Sequence, residues 1–95
     1  MRFTWEENKR IANLEAHGVD FADAALMFAG VVLEAEDSRA NYGEQRFRAL
    51  GRVGDEYYMV AYTWRGQARR IISAWRVDDE GKRRYQAILA RNPES

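Results

Sequence analysis

The chain has 95 residues, 46% apolar and 32% charged, with formal charges that cancel; this describes one domain with a single modest core. No run approaches the roughly 18 apolar residues of a membrane-spanning helix, and the absence of cysteine excludes disulfides and thiolate metal sites. A single histidine argues against a zinc centre, so neither metal nor cofactor is expected. The opening MRFTWEENK has no apolar stretch behind its charge, so no secretory signal is expected and the cytoplasm is the default compartment. Charge is uneven along the chain. Residues 1–37 carry three basic and eight acidic side chains, a net of −5, and residues 38–95 carry twelve and seven, a net of +5. A basic surface is therefore compatible with overall neutrality.

Met1–Phe3 reads as a short strand, after which Thr4 and Glu7 have capping-box spacing for a first helix. Ile11 and Leu14 share one side of that helix, and His17-Gly18 ends it with glycine just past the last turn. Asp20 is an N-cap for a second helix in which Phe21, Ala24, Ala25 and Phe28 face the core, and Gly30 stops it. The period then becomes two. Val31-Val32-Leu33 starts a strand that leads into Glu34-Ala35-Glu36-Asp37 and a loop around Asn41-Tyr42-Gly43. Three carboxylates on a strand point to alternate faces, so they do not converge on a cation. From Glu44 to Val53, charged side chains hold the even positions (Glu44, Arg46, Arg48, Arg52) and Phe47, Ala49 and Val53 the odd ones, as in a half-buried strand. Gly54-Asp55 turns the chain into a β-prone run, Tyr57–Trp64, whose near-continuous apolar character places it centrally in a sheet. Arg65-Gly66-Gln67 turns again, and Arg69–Val77 is the last strand. Asp78 caps a terminal helix in which Tyr85, Ile88 and Leu89 form a stripe, and Pro93 follows its end. The expected fold is an α+β domain of order β-α-α-β-β-β-β-α, with helices grouped on one face of a largely antiparallel sheet.

Arg46, Arg48, Arg65, Arg69, Arg70 and Arg76 cluster in or beside neighbouring strands. Guanidinium forks match phosphate oxygens, and the interleaved Tyr42, Tyr58, Tyr62, Trp64 and Trp75 offer faces for unpaired bases. The plainer reading is solvated surface charge paired with Glu44 or Asp55. Strict alternation puts Arg70, Ile72, Ala74 and Arg76 on one face of the last strand and Arg69, Ile71, Ser73 and Trp75 on the other, so both faces mix apolar and basic groups. A bulge would change that assignment. His17 is the one side chain suited to exchange protons near neutrality, or else a residue that packs in its own turn.

Three stretches together resemble the BrnT toxins, RelE-like ribonucleases of type II toxin–antitoxin systems. The first is Phe3-x-Trp5-Glu6-x-x-Lys9-x-x-x-Asn13-x-x-Ala16-His17-Gly18-Val19-x-Phe21, followed by Ala25 and Phe28. The second is Gly43-Glu44-x-Arg46 leading to Leu50-Gly51. The third is Tyr62-Thr63-x-Arg65-Gly66, then Arg70-Ile71-Ile72-Ser73-Ala74 and Arg84-Tyr85.

The resemblance implies a RelE-like fold, metal-independent RNA cleavage by 2′-hydroxyl attack, and neutralisation by a BrnA-like ribbon-helix-helix antitoxin. DNA would be met only through that antitoxin, and no membrane partner is implied. Carried over position by position, it makes His17 the acid/base, Arg46 and Arg70 phosphate clamps, and Lys9 an auxiliary cation. Glu44 becomes a base or the residue that orients Arg46. Arg76, Ser73 and Arg65 become substrate contacts; Trp75, read from its own residue type, is either a base-stacking platform or a plug in the core. The chain departs from the family pattern at three places. Ala16 stands where Lys is usual, Trp75 where Arg is common, and Gly81 where Glu is usual, the last removing half of a capping box from the final helix. These changes frame the alternative, a weakened module that binds the antitoxin and modulates its DNA binding without cleaving RNA.

Overall fold

The computed structural model describes residues 1–91 and has the element order β-α-α-β-β-β-β-α. Strand β1 is Arg2–Thr4, helix α1 Glu7–His17, and helix α2 Phe21–Ala25, which runs into a short 3-10 helix at Leu26–Ala29. Strands β2 (Leu33–Glu36), β3 (Phe47–Val53), β4 (Glu56–Arg65) and β5 (Ala68–Arg76) follow, then helix α3, Asp79–Arg91. Pro93 lies outside the described residues. The sheet order is β1-β5-β4-β3-β2, parallel between β1 and β5 and antiparallel elsewhere. Strand β4 occupies the middle, as its apolar run predicts. Among the described residues, no helix is long and apolar enough to cross a membrane.

Thr4 does not cap α1. It pairs with Arg70 as the last residue of β1, and its hydroxyl is buried without a hydrogen-bond partner. The helix starts three residues later with Glu6 at the N-cap, and the Glu7 carboxylate engages Arg10 instead of closing a capping box. The other end is as expected. Gly18 adopts φ 68°, a left-handed conformation that glycine accepts without strain, and its N–H donates to the Leu14 carbonyl. The Asp20 carboxylate accepts from Ala22 N at 2.9 Å and starts α2.

The expectation that all helices share one face is corrected. Side chains alternate along β4: Tyr58, Val60 and Tyr62 pack with Phe21, Ala24, Ala25, Met27 and Phe28 in the main core, whereas Tyr57 and Met59 pack with Leu50, Tyr85 and Leu89. Helix α2 therefore covers one face, the inner face below, and α3 covers part of the other, the outer face. Phe21, Met27, Val60 and Ile71 are fully buried in the main core, each worth roughly 1.5–3 kcal/mol relative to exposure. On α1, Ile11 and Leu14 remain exposed (43% and 42%), and the buried residue is Asn13.

Two details of β5 position everything that follows. In the ladder with β4, Ile71 pairs with Tyr62 and Ser73 with Ala61, so Ile72 is an inserted bulge residue. Strand β1 pairs only with Ala68–Arg70. Past that point helix α1 takes over the edge of β5, with Asn13 bonded to the backbone of Ala74.

Candidate functional site

The bulge overturns the strict alternation expected for β5. Arg69, Ile71, Ala74 and Arg76 take the parity of the inner face, and Arg70, Ser73 and Trp75 that of the outer one. On the outer face, successive rows cross the sheet. Leu33, Leu50, Met59 and Trp75 form one row, which α3 approaches through Tyr85 and Leu89. The next is Ala35, Arg48, Ala61 and Ser73. Beyond it Thr63 pairs with Arg70, and Arg46, one residue before Phe47 and of opposite parity, extends that row on β3. Three half-buried arginines, Arg46, Arg48 and Arg70, thus surround the small residues Ala61, Thr63 and Ser73. The Thr63 hydroxyl donates to Gln45 O at 2.7 Å and pins the entry to β3.

These three cations differ in availability. Arg46 lies 4.2 Å from the Tyr42 ring centroid and donates from Nε to Glu44 at 3.3 Å. Glu44 also accepts from Arg65 at 3.2 Å. The Arg65 hydrogen bond, followed by that of Arg46, holds the Glu44 carboxyl below its ordinary range. Glu44 is therefore an anion that orients two guanidinium groups and a poor proton acceptor. Among the described residues, the side chains of Arg48 and Arg70 form neither an ion pair nor a hydrogen bond. Their donors carry no hydrogen bond, although Arg48 feels the Asp37 carboxylate electrostatically.

Helix α1 flanks this floor. Lys9 and His17 line one shallow cavity of about 310 Å³ with Ala12, Asn13, Ala16 and Ile72. The His17 ring centroid lies 6.4 Å from that of Trp75, tilted by 44°. Asn13 sets this placement. Its Nδ2 donates to Ala74 O at 2.8 Å and to Val19 O at 2.9 Å, while its Oδ1 accepts from Ala74 N at 3.1 Å.

The structure thus brings together Lys9 and His17 on the flank, Arg46, Arg70 and Ser73 on the floor, and Trp75 at the boundary with α3. It separates Arg76 from them. Arg76 has inner-face parity, pairs with Glu56 at 3.3 Å and reaches Gly18 O at 3.4 Å, so it tethers the end of α1. Arg65, at the end of β4, has the outer-face parity of Thr63 and shares Glu44 with Arg46, so it borders the floor. Arg69 proves structural. Its guanidinium packs against Phe28, Tyr62 and Trp64 with centroid distances of 4.4, 5.2 and 4.6 Å and pairs with Glu34. Trp75 is half-buried, neither a sealed plug nor a free surface group.

Sequence reasoning counted Arg48 among the clustered guanidinium forks and Thr63 and Asn13 among the family-signature positions, but gave none of the three a specific part in the site. The even-position rhythm shared by Arg46 and Arg48 was the available signal for the first. Asn13 stood in the first signature stretch, but nothing in the sequence showed which backbone it would bond.

The family model described as "Ribonuclease toxin, BrnT, of type II toxin-antitoxin system" matches residues 5–81, from before α1 to the first turn of α3, and so contains the whole arginine floor and its flank. No curated protein matches the sequence. A match over most of the chain shows that this protein belongs to the BrnT family, the ribonuclease toxins of type II toxin–antitoxin systems, whose members take RNA as substrate and an antitoxin as partner.

Proposed function

We propose that the protein is a metal-independent endoribonuclease with a RelE-like fold, acting in the cytoplasm and silenced by a ribbon-helix-helix antitoxin. The observation that carries this reading is the open outer face. The Ile72 bulge puts Arg70 and Ser73 on the same side as Arg46 and Arg48, beside a helix that presents His17 and Lys9. A phosphodiester seated there meets guanidinium forks on its non-bridging oxygens, which gain charge as the reaction proceeds. The 2′-oxygen attacks phosphorus and its proton passes to solvent. The bond from phosphorus to the 5′-oxygen breaks, and His17 as imidazolium protonates the leaving oxygen. The products are a 2′,3′-cyclic phosphate and a 5′-hydroxyl, and His17 regains its proton from water. Lys9 adds positive potential at the same flank. Glu44 serves by orienting Arg46.

The alternative, a module that only holds the antitoxin, draws support from Glu44, whose charge is shared between Arg46 and Arg65 and weakens both as phosphate ligands. One experiment separates the two. Purified, antitoxin-free protein is incubated with a long single-stranded RNA in chelator, beside Arg70→Ala and His17→Ala. Loss of full-length RNA with wild type alone supports the nuclease. Intact RNA with folded wild-type protein sinks it and leaves the binding module.

A further inference from the structure

The outer face does not end at the arginine floor. Where α3 begins there is a second cavity of about 320 Å³, lined by Met59, Trp75, Arg76, Val77, Asp78 and Gly81. Its size is at the lower end of the range usual for small-ligand sites, about 300–1,000 Å³. The phosphate-binding arginines of the floor, Arg46, Arg48 and Arg70, take no part in its lining. We propose that this cavity binds a nucleobase adjoining the scissile phosphate, with the Trp75 indole as its stacking surface. The inference rests on the ribonuclease reading and assigns that site its base-recognition element.

Three observations argue for a base. The cavity has a flat aromatic wall and a thioether beside it, because Trp75 and Met59 are directly paired across β5 and β4 and are both half-buried. Its polar groups can serve a base edge. Asp78 spends Oδ1 on the Gly81 N–H at 2.9 Å, which leaves Oδ2 as an acceptor at the rim, where Arg76 is already held by Glu56 and Gly18 O. Because the Arg76 charge is already paired with Glu56, this lining offers no uncommitted cation to a further phosphate and suits a neutral ring better. Third, the cavity adjoins the candidate site through one residue: Trp75 stands two residues beyond Ser73 on the same face, and its ring lies 6.4 Å from that of His17. Gly81 lines the cavity with backbone alone, and a Cβ there would lie 3.0 Å from Val77 Cβ, so the start of α3 sits as close as a glycine permits.

The test maps cleavage of a long single-stranded RNA in chelator by wild type, Trp75→Leu, Trp75→Phe and Arg70→Ala, each checked for folding by thermal melting. Base stacking on an aromatic side chain predicts that Trp75→Leu lowers kcat/KM roughly 5- to 150-fold and erases any base preference at the nucleotide flanking the cut. Trp75→Phe keeps the preference and most of the rate, which a purely structural role for residue 75 would not require. Arg70→Ala slows cleavage at all sites without changing their ranking. A ranking that survives unchanged in folded Trp75→Leu overturns the base pocket while the nuclease reading stands. Equal loss in Trp75→Phe and Trp75→Leu, with ranking intact, assigns Trp75 to packing and also overturns it. Intact RNA with wild type removes the nuclease reading and this inference together.

Discussion

Asn13 reads the backbone of Ala74 in both directions, donating to its carbonyl at 2.8 Å and accepting from its amide at 3.1 Å, as a neighbouring strand would. One side chain thus continues the sheet where β1 has ended. It also fixes how far α1 lies from β5, and so where Lys9 and His17 stand over the outer face.

Replacing Asn13 by Ala strands a buried N–H and two buried carbonyls, on Ala74 and Val19. Urea denaturation is expected to show a loss of about 2–4 kcal/mol, since each orphaned buried group costs roughly 1–3 kcal/mol and water re-solvates some of them. Asn13→Asp fares no better, because a carboxylate cannot donate to either carbonyl. A loss under about 0.5 kcal/mol would show that α1 is held by other contacts.

Arg48 and Arg70 are expected to act on RNA affinity through charge. Each change to Ala should reduce the salt dependence of single-stranded RNA binding by about 0.7 in log–log slope, measured by fluorescence anisotropy across a salt series. Arg70→Lys restores the slope and not the cleavage rate, since an ammonium keeps the charge and loses the fork. An unchanged slope in Arg48→Ala would remove that residue from the floor.

The Asp37 carboxylate is buried, accepts from Arg39 Nε at 2.8 Å and Nη2 at 2.9 Å, and is held well below its usual value of 3.8 by these hydrogen bonds. A depressed folded-state value means that the stabilisation is complete above the unfolded value and is lost as pH falls below it. Thermal melts should therefore drop steadily below about pH 4. Asp37→Asn should melt lower at pH 7 and flatten the acid limb. A parallel acid limb in the variant would place the sensitivity elsewhere.

Gly81 looks like a weak point in the first turn of α3, and Ala should improve helix propensity by about 1 kcal/mol. The Cβ it adds meets Val77 Cβ at 3.0 Å and Cγ2 at 3.4 Å. Val77 Cβ is fixed by its backbone, so the helix start must move. Gly81→Ala is expected to destabilise by about 1 kcal/mol, read by urea denaturation. A gain in stability would show that α3 yields at little cost.

The sequence made the order of elements, the central place of β4, the Asp20 cap and the Gly18 terminator legible, because each rests on local chemistry. It failed where a long-range partner decided the outcome. Thr4 has capping-box spacing, yet pairing with Arg70 claimed it for the sheet. The side of the sheet that α3 chose depended on where Tyr57 and Met59 found cover. For the candidate site, His17, Lys9, Arg46 and Arg70 were nominated through family resemblance. Arg48 lacked a motif, and the two faces of β5 could not be separated while Ile72 was counted as an ordinary residue.

That extra residue has a consequence for how the chain can change length. A regular strand cannot lose or gain one residue without exchanging its two sides, and β3 and β4 have no slack along their mutual ladder. Strand β5 holds one residue more than its ladder with β4 requires. A deletion between Ile71 and Ser73 can be absorbed by straightening the strand, leaving Arg70 outward and Ala74 inward. An insertion there has no such reserve. Drift in residue count is thus tolerated in one direction only, in the strand that carries Arg70, Ser73 and Trp75.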